Sequence, residues 1–247
     1  VINGIPFDSP LYTIDEERGV EYRNCEAITA FFTIDGDVSE LLPEGVKPYS
    51  EPANGGIWIS NYSFSTLGPY YEYISVVQVE VDGEMAYYIP YIYVTNDAAM
   101  AAGREVAGAP KKLASIELKK ELDVIQGVLE RPSGKRLVTF TMKPETRVSG
   151  ELIDTILPKP TYLLSTRHLP PIRGKGGITQ LIKWYSDIDY HVDTRGERAL
   201  WAGKASLTYD SPSVIDPVHK IKIGEILLAI YFQFDMKLGF SDIVKEY

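Results

Sequence analysis

A mainly β chain carrying a few short helices, an α+β arrangement, is predicted by three observations. Tyrosine occurs 17 times beside abundant valine, isoleucine and threonine, the residues that fit a pleated, half-buried surface. Apolar residues recur at a period of two in several runs. Asp82-Gly83 stands between two such runs as a hairpin signal, because both residues tolerate positive φ. No repeat, low-complexity linker or composition break divides the 247 residues, so one domain spanning 1–247 is expected.

In chain order, Ala27 to Phe32 reads as the first strand and Asp35-Gly36-Asp37 as its turn. Val38 to Leu42 is predicted as a short helix stopped by Pro43. Gly55-Gly56 opens a second strand, Ile57 to Tyr62. Tyr71 to Val81 and Met85 to Val94 form the arms of the Asp82-Gly83 hairpin, the latter bent at Pro90. Asn96 to Val106 is alanine-rich and helical, with Asn96 as N-cap and Gly108 as stop. Strands follow at Leu113 to Leu118, Leu122 to Glu130 and Arg136 to Met142, with Arg131-Pro132-Ser133-Gly134 as a turn. Tyr162 to Arg167, Gly177 to Tyr190 and Glu197 to Leu207 continue the pattern, and Arg173 to Gly177 is an exposed loop. Ile221 to Phe234 is strongly apolar, and strand and helix are equally arguable there.

A formal net charge of −9 opposes attraction to phosphate backbones and anionic membranes, so neither nucleic acid nor membrane is an expected partner. An anionic substrate would have to be drawn in by local cations. Cys25 is the only cysteine, which excludes an intrachain disulfide. No signal-like amino terminus or long uncharged apolar run is present, and a cytoplasmic protein is the expectation. His168, His191 and His219 lack metal-ligand spacing, so no metal or cofactor is expected. Gly174-Lys175-Gly176-Gly177 lacks the strand-to-helix context of a phosphate loop and reads as a turn. Trp58, Trp184 and Trp201 read as core or interface aromatics.

The chemistry concentrates at Lys111-Lys112, set in the apolar stretch Gly108-Ala109-Pro110-Lys111-Lys112-Leu113-Ala114. An amine is a nucleophile only when its ammonium form is made unfavourable, which a neighbouring cation and a desolvated pocket both do. Lys111 is the candidate nucleophile and Lys112 the cation beside it. One solvated neighbour supplies only about 1 kcal/mol, so burial must supply most of the effect. Glu72, on a predicted strand, is the candidate carboxylate for proton transfers. Tyr93, Ile57 and Leu113 are the expected apolar lining. The ordinary alternatives are a solvated lysine pair at a helix exit and an outward-facing strand glutamate, with Arg104 and Glu105 a surface pair or a structural brace.

Glu72, Tyr93, Asn96, Gly103-Arg104-Glu105 and Pro110-Lys111-Lys112-Leu113, in this order and spacing, resemble the acetoacetate decarboxylase family, the standard instance of a lysine activated by a neighbouring cation. Trp201-Ala202-Gly203 and Pro217 to Phe234 look like the family's later segments. The resemblance implies a closed, cone-like antiparallel β-barrel, a homo-oligomer, a Schiff base at Lys111, Lys112 as its perturbing neighbour, Glu72 as the active-site carboxylate and a small-molecule keto acid as substrate. Two positions depart from the family pattern. Ile57 stands where a second glutamate is expected. Asn24 stands where an arginine is expected, with Arg23 adjacent, and a one-residue shift in a strand turns a side chain to the opposite face. Pro90-Tyr91-Ile92-Tyr93 followed by Asn96-Asp97-Ala98-Ala99-Met100 looks closer to relatives that use the lysine for aldol condensation and dehydration. The leading reading is therefore a Schiff-base-forming carbon–carbon lyase that decarboxylates a β-keto acid such as acetoacetate. An aldolase-dehydratase acting on pyruvate or a related α-keto acid, and a non-catalytic barrel binding a small carbonyl ligand, are the alternatives.

Overall fold

The alternating apolar runs form strands whose two faces are buried by different partners, and this division places the lysines. The computed structural model describes Tyr12 and residues 18–247. The first half holds β1 (Val20–Ile34), the two-residue β2 (Lys47–Pro48), β3 (Asn54–Tyr62), the two-residue β4 (Phe64–Ser65), β5 (Tyr70–Val81) and β6 (Glu84–Val94). Only a 3-10 turn, Ser39–Leu41, occupies the predicted first helix. Helix α1 (Asp97–Ala102) is capped by the Asn96 side chain, which accepts from the Ala99 N–H at 2.9 Å. It runs into a π-helical turn, Gly103–Ala107, that ends at Gly108 with φ +71°, as a left-handed stop requires.

Next come β7 (Lys111–Leu113), β8 (Ser115–Glu121), β9 (Val124–Glu130), β10 (Arg136–Met142) and the two-residue β11 (Thr146–Arg147). Helix α2 (Gly150–Ile156) was not expected from the sequence; Ser149 caps it by accepting from the Leu152 N–H at 3.3 Å. β12 (Thr161–Leu169), β13 (Ile178–Tyr190), β14 (Leu200–Ala202), β15 (Ala205–Tyr209) and β16 (Ile223–Glu246) complete the chain. Leu122 is fully exposed at φ +53° in the turn between β8 and β9, so the strand expected from Leu122 begins two residues later. The runs expected at Leu113 to Leu118 and Glu197 to Leu207 each divide in two, because at both places the chain leaves one sheet for another.

Seven strands close a ring in the order β1, β3, β5, β6, β12, β13, β16 and back to β1. Every neighbouring pair is antiparallel except β6 and β12, which pair in parallel at Tyr87 with Leu163 and Tyr88 with Leu164. β16 makes the closure. Its first part pairs with β1, its last part with β13, and the stretch around Phe234 to Leu238 with both. The ambiguous apolar run is thus a strand: Ile230, Phe232, Phe234 and Met236 are buried, while Gln233 between them and Lys237 just after them are exposed.

A second, four-stranded antiparallel sheet, β8-β9-β10-β15, packs on the outside of the ring. Ile28, Ile57, Ile59, Tyr73 and Tyr93 on that side share a core with Ile116, Leu129, Val138 and Phe140. Gly127 permits the approach, since a β-carbon there would sit 2.6 Å from Ile59 Cδ1. The other side of the ring strands faces a separate core containing Phe31, Tyr62, Tyr70, Phe232 and Phe234. No helix among the described residues is long and apolar enough to cross a membrane.

Candidate active site

Strand register decides which way each lysine points. β7 lies against β6 with Lys111 beside Ile92 and Lys112 beside Tyr93, while β5 lies on the other edge of β6 with Glu72 beside Val94 and Tyr73 beside Tyr93. Glu72, Ile74 and Lys111 therefore share the inner face of the ring. Lys112, Tyr73 and Tyr93 share the opposite face, towards the second sheet.

On the inner face Lys111 Nζ lies 2.7 Å from Glu72 Oε2, and both side chains are almost wholly buried, at 7% and 5% exposed. Tyr62 donates its hydroxyl to Glu72 Oε1 at 3.0 Å. Tyr22 and Tyr70 share a hydroxyl–hydroxyl bond of 2.9 Å, and the Lys111 ammonium sits 5.7 Å from the Tyr70 ring centre. Burial, and then the Glu72 charge, push the phenols of Tyr22, Tyr62 and Tyr70 well above their usual range, so they remain neutral donors. Alkaline difference spectroscopy should accordingly show exposed tyrosines ionising near about 10, with these three ionising only on unfolding.

The helix end shapes the lysine. A β-carbon on Gly103 would lie 2.5 Å from Lys111 Cδ and 2.6 Å from Cε, so any larger residue there would push the lysine side chain aside. Arg104 braces the same residue by donating from Nη1 to the Lys111 carbonyl at 3.2 Å, and Glu105 accepts from Tyr12 Oη at 2.6 Å. Gly103→Ala should keep the fold but displace the amine, lowering kcat on the order of 100-fold, the usual scale for a misplacement of about 1 Å. Circular dichroism beside steady-state rates checks this.

Lys112 is not a bare cation next to the amine. It donates to Asp216 Oδ1 at 3.0 Å and to the Ile215 carbonyl. Asp216 is nearly buried and also accepts from Arg131 Nε at 3.1 and 3.2 Å and from Tyr93 Oη at 3.3 Å. The expected role of Lys112 as perturbing neighbour is thus not what its geometry offers; it ties β7 to the segment between β15 and β16. Asp216→Ala strips two cations that are each about one-third exposed, and should cost about 2 kcal/mol of stability, below the 3–5 kcal/mol of a fully buried broken pair. Denaturant melts measure it.

An apolar cavity of about 80 Å3 opens beside Lys111 and Glu72. Among the described residues these two are its only charged lining groups; Phe31, Trp58, Ile74, Val76, Leu157 and Leu163 form much of the rest. Trp58 and Trp184, expected as core or interface aromatics, both line it. Ile57 borders the cavity, although register with Ser75 turns its side chain towards the second sheet. The other expected lining residues lie elsewhere. Tyr93 sits on the Asp216 side, and Leu113, 41% exposed, lies where β7 leaves the ring. Arg23 is half exposed and bound to Glu21 and Asp235, because Tyr22 takes the inward position. Asn24 has φ +53° in a one-residue bulge of β1 between Tyr22 and Cys25, which keeps those two side chains buried and leaves both Arg23 and Asn24 exposed. No group of three or more His, Cys, Asp or Glu side chains among the described residues is placed to hold a metal.

A closed β ring that buries one amine against one carboxylate at the wall of an apolar cavity has the groups needed for covalent or proton-transfer chemistry. The family model for acetoacetate decarboxylase (ADC) matches residues 8–247, and the chain belongs to this family of lyases. It is 29% identical over 247 residues to an acetoacetate decarboxylase of Burkholderia multivorans, covering 98% of this chain and 94% of that one. The crystal structure of an acetoacetate decarboxylase from Legionella pneumophila superposes with a TM-score of 0.84 at 24% identity, over 96% of this chain and 90% of the other. The enduracididine biosynthesis enzyme MppR has the same fold, with a TM-score of 0.77 at 16% identity over 96% and 92% of the two chains.

Proposed function

We propose that this chain decarboxylates a β-keto acid through an iminium formed on Lys111. The observation that carries the proposal is the buried 2.7 Å contact between the Lys111 amine and Glu72 at the wall of an otherwise uncharged cavity. Transfer of the ammonium proton across that contact leaves a neutral amine, whose lone pair adds to the keto carbon. The Glu72 carboxyl returns the proton to the carbinolamine oxygen, which departs as water and leaves the iminium. The bond between the α-carbon and the carboxylate then breaks, its electron pair forms the enamine and neutralises the nitrogen, and carbon dioxide leaves. A proton taken up from water and relayed by Glu72 reaches the enamine carbon. Water then hydrolyses the new iminium, releasing the ketone and restoring Lys111.

Burial supports this sequence. Bond cleavage converts an iminium and a carboxylate, both costly away from water, into neutral products, so an apolar cavity favours it. Tyr62 holds Glu72 by one oxygen and leaves the other facing the amine. No cation other than Lys111 lines the cavity among the described residues, so substrate recognition rests on shape and neutral donors.

The second reading, aldol condensation and dehydration on pyruvate, is favoured by one comparison: MppR was solved in complex with the condensation product of pyruvate and imidazole 4-carboxaldehyde. Decarboxylation ranks first because the relative of higher identity is a decarboxylase. Carbon dioxide release from acetoacetate, with borohydride trapping of the adduct, tests the first reading. Turnover of pyruvate with an aldehyde, without carbon dioxide release from acetoacetate, promotes the second. Trapping of no keto acid at all, alongside a ligand-induced rise in melting temperature, favours the binding barrel. We also propose a homo-oligomer, which light scattering tests.

A further inference from the structure

The cavity at Lys111 and an outer cleft share part of their lining. Phe31 and Tyr87 line both the cavity and this cleft of about 270 Å3, whose apolar lining is Leu152, Ile156, Leu227 and Leu228. The α2 segment borders both spaces. Leu157 just after it lines the cavity, Leu152 and Ile156 on it line the cleft, and Tyr87 Oη donates to the Ile156 carbonyl at 2.6 Å. Leu152 and Leu227 leave 46% and 53% of their surface in water although the cleft lies beside a deep apolar cavity. The inner cavity of about 80 Å3 holds only a handful of water-sized groups, at roughly 10–15 Å3 for each. It suffices for the head of a keto acid and little more.

We infer that the substrate is a β-keto acid with a long apolar tail, whose head meets Lys111 while the tail runs between Phe31 and Tyr87 into the cleft under α2. The inference rests on the decarboxylase reading and names the substrate class for that site. No charged side chain among the described residues lines the route beyond Lys111 and Glu72, so a charged tail would lose its water without compensation. An apolar tail gains on the order of fourfold in kcat/KM for each methylene buried. Asn54 and Gln78, the polar side chains that line the cleft among the described residues, bond each other at 3.3 Å.

The test is a series of straight-chain β-keto acids from acetoacetate to one with a hexyl tail, read as kcat/KM for carbon dioxide release. The expected result is a rise with length of on the order of 1000-fold across the series, about fourfold for each of the five added methylenes. In the doubly substituted Leu152→Gln, Leu227→Gln protein, the ratio of hexyl to acetoacetate kcat/KM should fall about tenfold. A flat or falling length dependence overturns the inference, as does a double variant that leaves the ratio unchanged. Borohydride trapping of methyl ketones of matching lengths separates the two levels. Labelling that strengthens with length while no acid loses carbon dioxide supports the channel and sinks the decarboxylase reading, and labelling indifferent to length sinks the channel. Absence of label with every ketone and of carbon dioxide with every acid sinks both.

Discussion

Lys111→Met is expected to abolish carbon dioxide release from every β-keto acid, a loss on the order of 10⁴-fold or more, and to eliminate the borohydride-dependent mass increase seen with substrate. Methionine keeps an unbranched apolar stem in the slot beside Gly103, so the helix end should not move. The substitution also leaves Glu72 buried without its cation, and breaking a buried pair from one side costs about 3–5 kcal/mol. A loss of rate could then reflect partial unfolding. The double variant Lys111→Met, Glu72→Gln removes the stranded charge and should recover most of the melting temperature while recovering none of the activity. Activity that persists in a folded Lys111 variant would remove the amine from the mechanism.

Much of the fold was legible because strands announce themselves by alternation and turns by their residues. Asp82-Gly83 forms the hairpin expected of it, with Asp82 at φ +53° and Gly83 at φ +79°. Asn96 and Gly108 bound the helical segment as read. What escaped depends on partners distant in sequence. Nothing local distinguishes Ala114 or Gly203 as points where the chain changes sheets, and helix α2 offers only two turns and a serine cap.

The site was legible in its members and less so in its directions. Lys111 and Glu72 meet, although 39 positions apart, because β6 lies between their strands and holds both in register. The cation role expected of Lys112 overlooked a rule available from sequence, that adjacent residues of a strand face opposite sides. Tyr93 went astray for the same reason, sharing the Lys112 face. Asp216, which neutralises Lys112, lies 104 positions away and carries no local signal. The tyrosine cluster of Tyr22, Tyr62 and Tyr70 was hidden among 17 tyrosines, and only the closure of the ring gathers these three around Glu72.

Glu72→Gln carries the second large effect and separates a proton carrier from a mere counter-ion. Glutamine keeps the shape of glutamate, and its carbonyl oxygen can still accept from Tyr62, but it can neither take the ammonium proton nor return one to the carbinolamine or the enamine. Loss of general acid–base catalysis predicts a fall in kcat of about 10²–10⁴-fold. Schiff base formation needs proton transfer to free the amine and to shed water, both of which solvent can serve slowly, so borohydride should still label Lys111 in this variant given longer incubation. Proton exchange discriminates further. Incubated in deuterated water with the ketone product, the parent protein should introduce deuterium at the carbon next to the carbonyl through the enamine, and the glutamine variant should label with borohydride yet exchange little. A glutamate that served only to anchor the lysine would instead give a variant with a lower melting temperature whose exchange and trapping decline together.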